Sequence, residues 1–156
     1  MKTLLLTKRN FIKYSKEYTD IVIVIIDSLE KIEKYKKPIN LLITTFNKEY
    51  NWNEMFSIDD VYKRIKDNHT FYLLYYKNEE IGYVWTKEIN NETCFAYNLY
   101  VTKTKNRPSD LSKCFLSDVY NYCLTKYKKI KMQIEDWNVA AFRVVYMLGV
   151  VEINEN

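Results

Sequence analysis

The residues best able to do chemistry lie in two stretches of the second half of the chain. Arg107-Pro108-Ser109-Asp110-Leu111-Ser112-Lys113 runs into a predicted helix, with Lys103 and Lys105 just ahead of it. The unpaired amides at a helix N-terminus attract anions, so this stretch is a candidate phosphate-type site. Glu135-Asp136-Trp137-Asn138 stands between a predicted strand and the next predicted helix. His69 is the only histidine and sits between Asn68 and Thr70 in a predicted turn, where a surface role is expected rather than proton transfer. Cys94, Cys114 and Cys123 lack C-x-x-C spacing, so no metal site and no disulfide framework is expected, and the three read as buried reduced thiols.

The elements that must position these residues can be read from periodicity. Thr19 and Asp20 can cap a helix carrying Val22, Ile25, Ile26, Leu29 and Ile32, although the β-branched run from Ile21 to Ile26 also permits a buried strand. The helix is the preferred reading. A second helix fits Ile39, Leu42, Ile43, Phe46 and Tyr50, and Ser57 with Asp60 resembles a capping box opening a third. From Phe71 the pattern turns to aromatic and β-branched runs, 71–76, 81–89 and 93–101, separated by short polar turns, which predicts an antiparallel meander. A helix follows with Leu111, Phe115, Val119, Tyr122 and Cys123 on one stripe, then a strand over 130–134, a helix over 139–148 and a last strand over 150–153. This order predicts an α/β (α+β) fold.

Length and charge narrow the classes. A chain of 156 residues with 47% apolar residues suits one domain, 1–156, with one core. The net charge of +4 is interspersed along the chain, so a nucleic-acid partner would rest on Lys and Tyr composition alone and is not the reading. The apolar run Ile21 to Ile26 falls far short of the roughly 20 residues needed to cross a bilayer. Leu4 to Leu6, followed at once by Lys8 and Arg9, does not resemble a secretory signal. A soluble, cytoplasmic protein with no membrane partner is expected.

The segment from Ile81 to Glu152 resembles the acetyl-CoA-binding half of the GCN5-related N-acetyltransferases. Asn98-Leu99-Tyr100-Val101 is similar to the family's central strand, and Arg107 to Leu116 falls where its phosphate loop and following helix lie. Glu135 to Ala141, continued by Leu148-Gly149-Val150, is similar to its last motif through the spacing of Asn138, Ala141 and Leu148-Gly149. The resemblance implies a mixed, mostly antiparallel central sheet flanked by helices. It implies transfer of an acetyl group from acetyl-CoA, as co-substrate, to a small-molecule or protein amine. Leu99 and Val101 would meet the pantetheine arm, Arg107, Ser112 and Lys113 the phosphates, and Asn138 the cofactor arm, with Tyr146 as the acid.

The chain departs from the family pattern at three places. Asp110 stands where the phosphate loop has its first glycine, and Pro108 lacks an amide donor. Pro108-Ser109-Asp110 equally reads as an ordinary self-capped helix start, with Ser109 accepting from a first-turn amide. The family's acid lies seven residues after the motif asparagine, which is Val145 here, and Tyr146 follows one position later. The final strand of the family's sheet is missing after Ile153, which leaves an unpaired C-terminal edge and raises a homodimer as an expectation. No base is identified; Glu88, Glu92 and Asp136 are carboxylates in that half, with nothing further to mark any of them as one. The acceptor side falls to the N-terminal helices, where Tyr50, Trp52 and Phe56 either line a pocket or serve as core and surface aromatics. The alternative to an enzyme is a degenerate, non-catalytic member of this fold that acts as a binding or interaction module.

Overall fold

Strand-forming and helix-forming segments alternate along the computed structural model, which describes residues 1–50, 56–97, 99–103 and 107–154. In chain order the elements are β1 (Lys2–Thr7), β2 (Ile21–Ile26), α1 (Leu29–Lys34), α2 (Lys36–Tyr50), α3 (Ile58–Lys66), β3 (His69–Tyr76), β4 (Glu79–Glu88), β5 (Thr93–Ala96), β6 (Tyr100–Val101), α4 (Leu111–Lys126), β7 (Lys129–Ile134), α5 (Val139–Met147) and β8 (Val151–Ile153). The fold is mixed α/β with mostly antiparallel strand pairs flanked by helices. Two units can be described separately: Met1–Thr19 with Glu88–Tyr97 and Pro108–Asn156, and Asp20–Lys87 with Asn98–Arg107.

In the first unit β5 pairs in parallel with β7, from Thr93 opposite Lys129 to Ala96 opposite Met132. The other edge of β7 is taken over its whole length by β1, antiparallel from Lys2 opposite Ile134 to Thr7 opposite Lys129. The far side of β1 pairs with β8 through Thr3–Ile153, Leu4–Glu152 and Leu5–Val151. The sequence reading gave residues 2–7 no element. Their alternation nevertheless buries Leu4 and Leu6 completely, worth about 2 kcal/mol each. β7 is therefore paired on both edges, by β5 and by β1. β8, with three residues, ends this ladder among the described residues. Phe115, Val119, Cys123, Ile130, Phe142, Val145 and Leu148 are among the residues buried with them.

In the second unit the ladders run β2 to β3 to β4 to β6, all antiparallel. Here the preferred helix over 20–32 is corrected: Ile21–Ile26 is a strand in register with Phe71–Tyr76, and only Leu29–Lys34 is helical. The β-branched run satisfies its amides against β3, and tertiary pairing overrides the helical spacing. Ser28, not Thr19 or Asp20, caps that helix by accepting from Lys31 N at 3.2 Å. The capping box at Ser57 and Asp60 is present, with Ser57 N donating to Asp60 Oδ2 at 2.8 Å. Lys77 and Asn78, at φ 51° and 63°, make the two-residue turn between β3 and β4, the hairpin type that matches strand twist. His69 opens β3 rather than lying in a turn.

The expected strand over 93–101 is two short ones. β5 ends its ladder with β7 at Ala96, and β6 pairs instead with β4, Tyr83 opposite Tyr100 and Gly82 opposite Val101. Gly82 permits this close approach, because a Cβ there would overlap Tyr100 O. Gly149, at φ 95°, lies equally close to Asn10 O. Gly82→Ala and Gly149→Ala are each expected to destabilise the fold by about 2 kcal/mol or more, measured as a fall in Tm on thermal denaturation. An unchanged Tm would contradict these backbone approaches.

Candidate functional site

The first turn of α4 is the place where the sequence reading puts an anion. Its N-cap is Asp110, whose side chain makes no capping bond, and Ser109 makes none either, so the self-capped start is not what forms. Two of the three first-turn amides already donate to backbone carbonyls: Leu111 N to Pro108 O at 3.3 Å and Lys113 N to Asp110 O at 3.1 Å. Ser112 contributes the remaining amide, and Ser112 and Lys113 are both half-buried.

The Asp110 carboxylate turns toward the segment that follows β1. Tyr14 Oη donates to Oδ2 at 2.8 Å, Tyr18 Oη donates to Oδ1, and Lys16 Nζ lies 3.7 Å from Oδ2. Lys16 Nζ also sits 5.1 Å from the Tyr18 ring centre. The Asp110 side chain is only 15% exposed. The two phenol donors, aided by the Lys16 charge, hold its pKa below the ordinary carboxylate value. The same hydrogen bonds raise the pKa values of Tyr14 and Tyr18.

The remaining holds of this segment fall on the same helix. Tyr14 N donates to Ser117 Oγ at 2.9 Å and Cys114 Sγ to Lys16 O at 3.4 Å. Asp110, Cys114 and Ser117 are spaced four and three residues apart, hence on one face of α4. At its start the segment is pinned by Ile12 N donating to Leu148 O at 2.9 Å.

The last motif is structural at its asparagine. Asn138 caps α5, its Oδ1 accepting from Ala141 N at 3.2 Å. Trp137 is 78% exposed. Val145 is buried in the core, whereas Tyr146 faces outward, 43% exposed, its ring stacked on Phe142 at 5.7 Å. Glu88, Glu92 and Asp136 are already engaged. Glu88 accepts from Tyr127 Oη at 3.1 Å, Glu92 pairs with Lys128 at 3.1 Å, and Asp136 pairs with the Met1 amino group at 2.9 Å.

In the second unit Leu99 lies between β5 and β6 and in neither ladder, while Val101 is in β6 opposite Gly82. Arg107 is half-buried, and its Nη1 is buried without a hydrogen-bond partner. Burial lowers its pKa, and nearby Glu49 opposes the shift. Glu49 was not found from the sequence: it accepts from Tyr100 Oη at 2.8 Å and from Lys103 N at 3.1 Å. Burial and the Glu49 bond raise the pKa of Tyr100. Phe46 and Tyr50 pack on the Tyr100 ring at 5.0 and 5.8 Å, and Lys103 Nζ lies 5.9 Å from the Tyr50 ring centre. Phe56 stacks on Tyr83 at 6.2 Å, as part of the core wall. Trp52, Asn98 and Lys105 lie outside the described residues. The only sequence signal for Glu49 was its place one residue before Tyr50 on the predicted acceptor-side helix.

Whether these residues suit acetyl-CoA differs by position. In the first unit the Lys113 side chain and the Ser112 amide suit an anionic ligand, and in the second unit so does the Arg107 side chain, whose Nη1 has no hydrogen-bond partner among the described residues. The backbone cradle does not fit, because a held carboxylate stands at the turn where phosphate charge would go. Among the described residues no cluster of His, Cys, Asp and Glu could hold a metal ion, and no helix is long and apolar enough to cross a membrane.

The depressed pKa of Asp110 contributes stability above its unfolded pKa, which is lost as pH falls through the folded value. The raised tyrosines contribute stability below about pH 10, their unfolded value, which is lost as pH rises through their folded values. Asp110→Asn is therefore expected to lower Tm at pH 7, with the difference from wild type closing below the ordinary carboxylate range. Tyr14→Phe/Tyr18→Phe is expected to speed trypsin cleavage after Lys13 and Lys16. Equal Tm across that range and equal cleavage would contradict the contact.

No protein-family model and no curated protein sequence matches the chain. Solved structures do match. A GCN5-related N-acetyltransferase from Kribbella flavida is 10% identical with a TM-score of 0.60, over 97% of this chain and 53% of that one, so the chain spans about half that protein's length. A GNAT family acetyltransferase from Elizabethkingia anophelis, with acetyl-CoA bound, is 19% identical with a TM-score of 0.58, over 83% of this chain and 75% of that one. An aminoglycoside acetyltransferase from an uncultured soil metagenomic sample, in complex with sisomicin, is 12% identical with a TM-score of 0.58, over 83% and 87%. These likenesses agree with the ladders and helices described above, and the chain has the fold of the GCN5-related N-acetyltransferases.

Proposed function

We propose that this chain transfers an acetyl group from acetyl-CoA to an amine. The observation that carries the reading, beside the fold, is the backbone at Leu99, which stands just ahead of β6 and outside its ladder with β4, at the position that the family resemblance gives to the pantetheine arm. When bound, acetyl-CoA supplies the acetyl group as a thioester. Leu99 and Val101 offer backbone groups to the arm, and Arg107, Ser112, Lys113 and Asn138 hold the rest of the cofactor, by side chains more than by amides. Tyr146 Oη is the proton donor to the leaving thiolate. On the acceptor side Glu49, oriented by Tyr100 and Lys103 N, binds the acceptor amine, which attacks the thioester carbonyl in its neutral form and gives up its proton to water as the C–S bond breaks. Neighbouring structures bind acetyl-CoA and an aminoglycoside, which supports the chemistry without naming the acceptor.

A second reading, a non-catalytic binding or interaction module on the same scaffold, is favoured by Asp110 on α4 and by the buried Val145 at the family's acid position. Calorimetric titration with acetyl-CoA separates the two. The enzyme reading predicts binding, weakened about tenfold in Arg107→Ala by loss of a charge-assisted contact. It also predicts that Tyr146→Phe lowers kcat about a hundredfold with little change in KM. Absence of heat at millimolar acetyl-CoA from folded protein would leave the module reading standing.

A further inference from the structure

We propose that residues 10–18 form an autoinhibitory strap that locks the Asp110 carboxylate on the first turn of α4, so that the strap's hold and an external anion exclude one another there. The inference deepens the acetyl-CoA reading, because it concerns regulation of the same turn, and rests on that reading only for the identity of the anion.

The strap has no helix or strand between Lys8 and Thr19. Its ties to α4 are polar, from Tyr14, Lys16 and Tyr18 to Asp110, Cys114 and Ser117 on one helix face. Apolar burial contributes little: Ile12 is 59% exposed, and Phe11 is only half-buried. A segment held this way opens at low cost compared with the core ladders on either side of it. Three of its ties to α4 end on one carboxylate, so a change at Asp110 acts on the strap and on the charge at the turn together.

Asp110 is also the reason the turn rejects an anion. Its negative charge takes the favourable end of the helix dipole, and its phenol and ammonium partners keep it ionised. A diphosphate at this turn would meet a like charge held in place by the strap. Release of the strap leaves the carboxylate free to turn to solvent.

Full-length wild type, Asp110→Asn and Tyr14→Phe/Tyr18→Phe, each checked for folding by Tm, would be titrated with inorganic pyrophosphate and with acetyl-CoA. Hydrogen exchange of residues 10–18 would be followed alongside. Asp110→Asn is expected to bind pyrophosphate about tenfold tighter than wild type, with faster exchange in the strap. The double tyrosine variant, which keeps the charge but frees it, is expected to show the faster exchange and a smaller gain. Folded variants with no gain in either ligand would overturn the proposal. A pyrophosphate gain without acetyl-CoA binding would keep the strap lock and remove the acetyl-CoA reading. Acetyl-CoA binding of equal affinity in all three proteins would remove the lock and keep that reading.

Discussion

The carboxylate of Asp110 is the point on which residues 10–18 and the start of α4 converge. A charge at a helix N-terminus can be supplied by a ligand or by the chain, and here the chain supplies it. Two phenols and a lysine then stabilise that charge. Its partners come from the segment leaving β1, so the position of β1 between β7 and β8 sets where the strap begins. The close approach of Gly149 to Asn10 fixes the same corner from the other side. Strand insertion, strap and helix N-terminus thus form one mechanical sequence, running from the first residues of the chain to the first turn of α4.

Much of the scaffold was legible in local pattern. The stripe from Leu111 to Cys123, the capping box at Ser57 and the hairpin around Lys77-Asn78 each announce themselves within a few residues. What escaped depends on partners remote in sequence. The run Ile21–Ile26 fits helix and strand spacing alike, and only its pairing with β3 decides between them. Leu4 to Leu6 is too short to signal by itself, and its ladder partners lie at Lys129–Ile134 and Val151–Ile153. The split of 93–101 into two strands has no local breaker; it follows from a change of pairing partner, with Gly82 admitting β6 closely.

The candidate site was legible in part for the same reason. Asp110 stood out because a carboxylate replaces a residue type the phosphate loop needs, yet the sequence offered only self-capping as its role. Tyr14, Lys16 and Tyr18 carry no motif, and their approach to α4 is set by tertiary structure. Glu49 likewise gains meaning from Tyr100, which is 51 residues away. Asn138 is recognisable by spacing, and its capping bond to Ala141 gives a structural reason for that spacing.

The account therefore rests on an ionised carboxylate held by donors from the strap, and that state can be observed without any ligand. A carbon-detected NMR titration of the Asp110 carboxyl in the full chain tests it most directly. The donors around it predict a midpoint below the ordinary value for aspartate, about 3.9, moving back toward that value in Tyr14→Phe/Tyr18→Phe. A wild-type midpoint at or above the ordinary value, unmoved by the tyrosine substitutions, would contradict it.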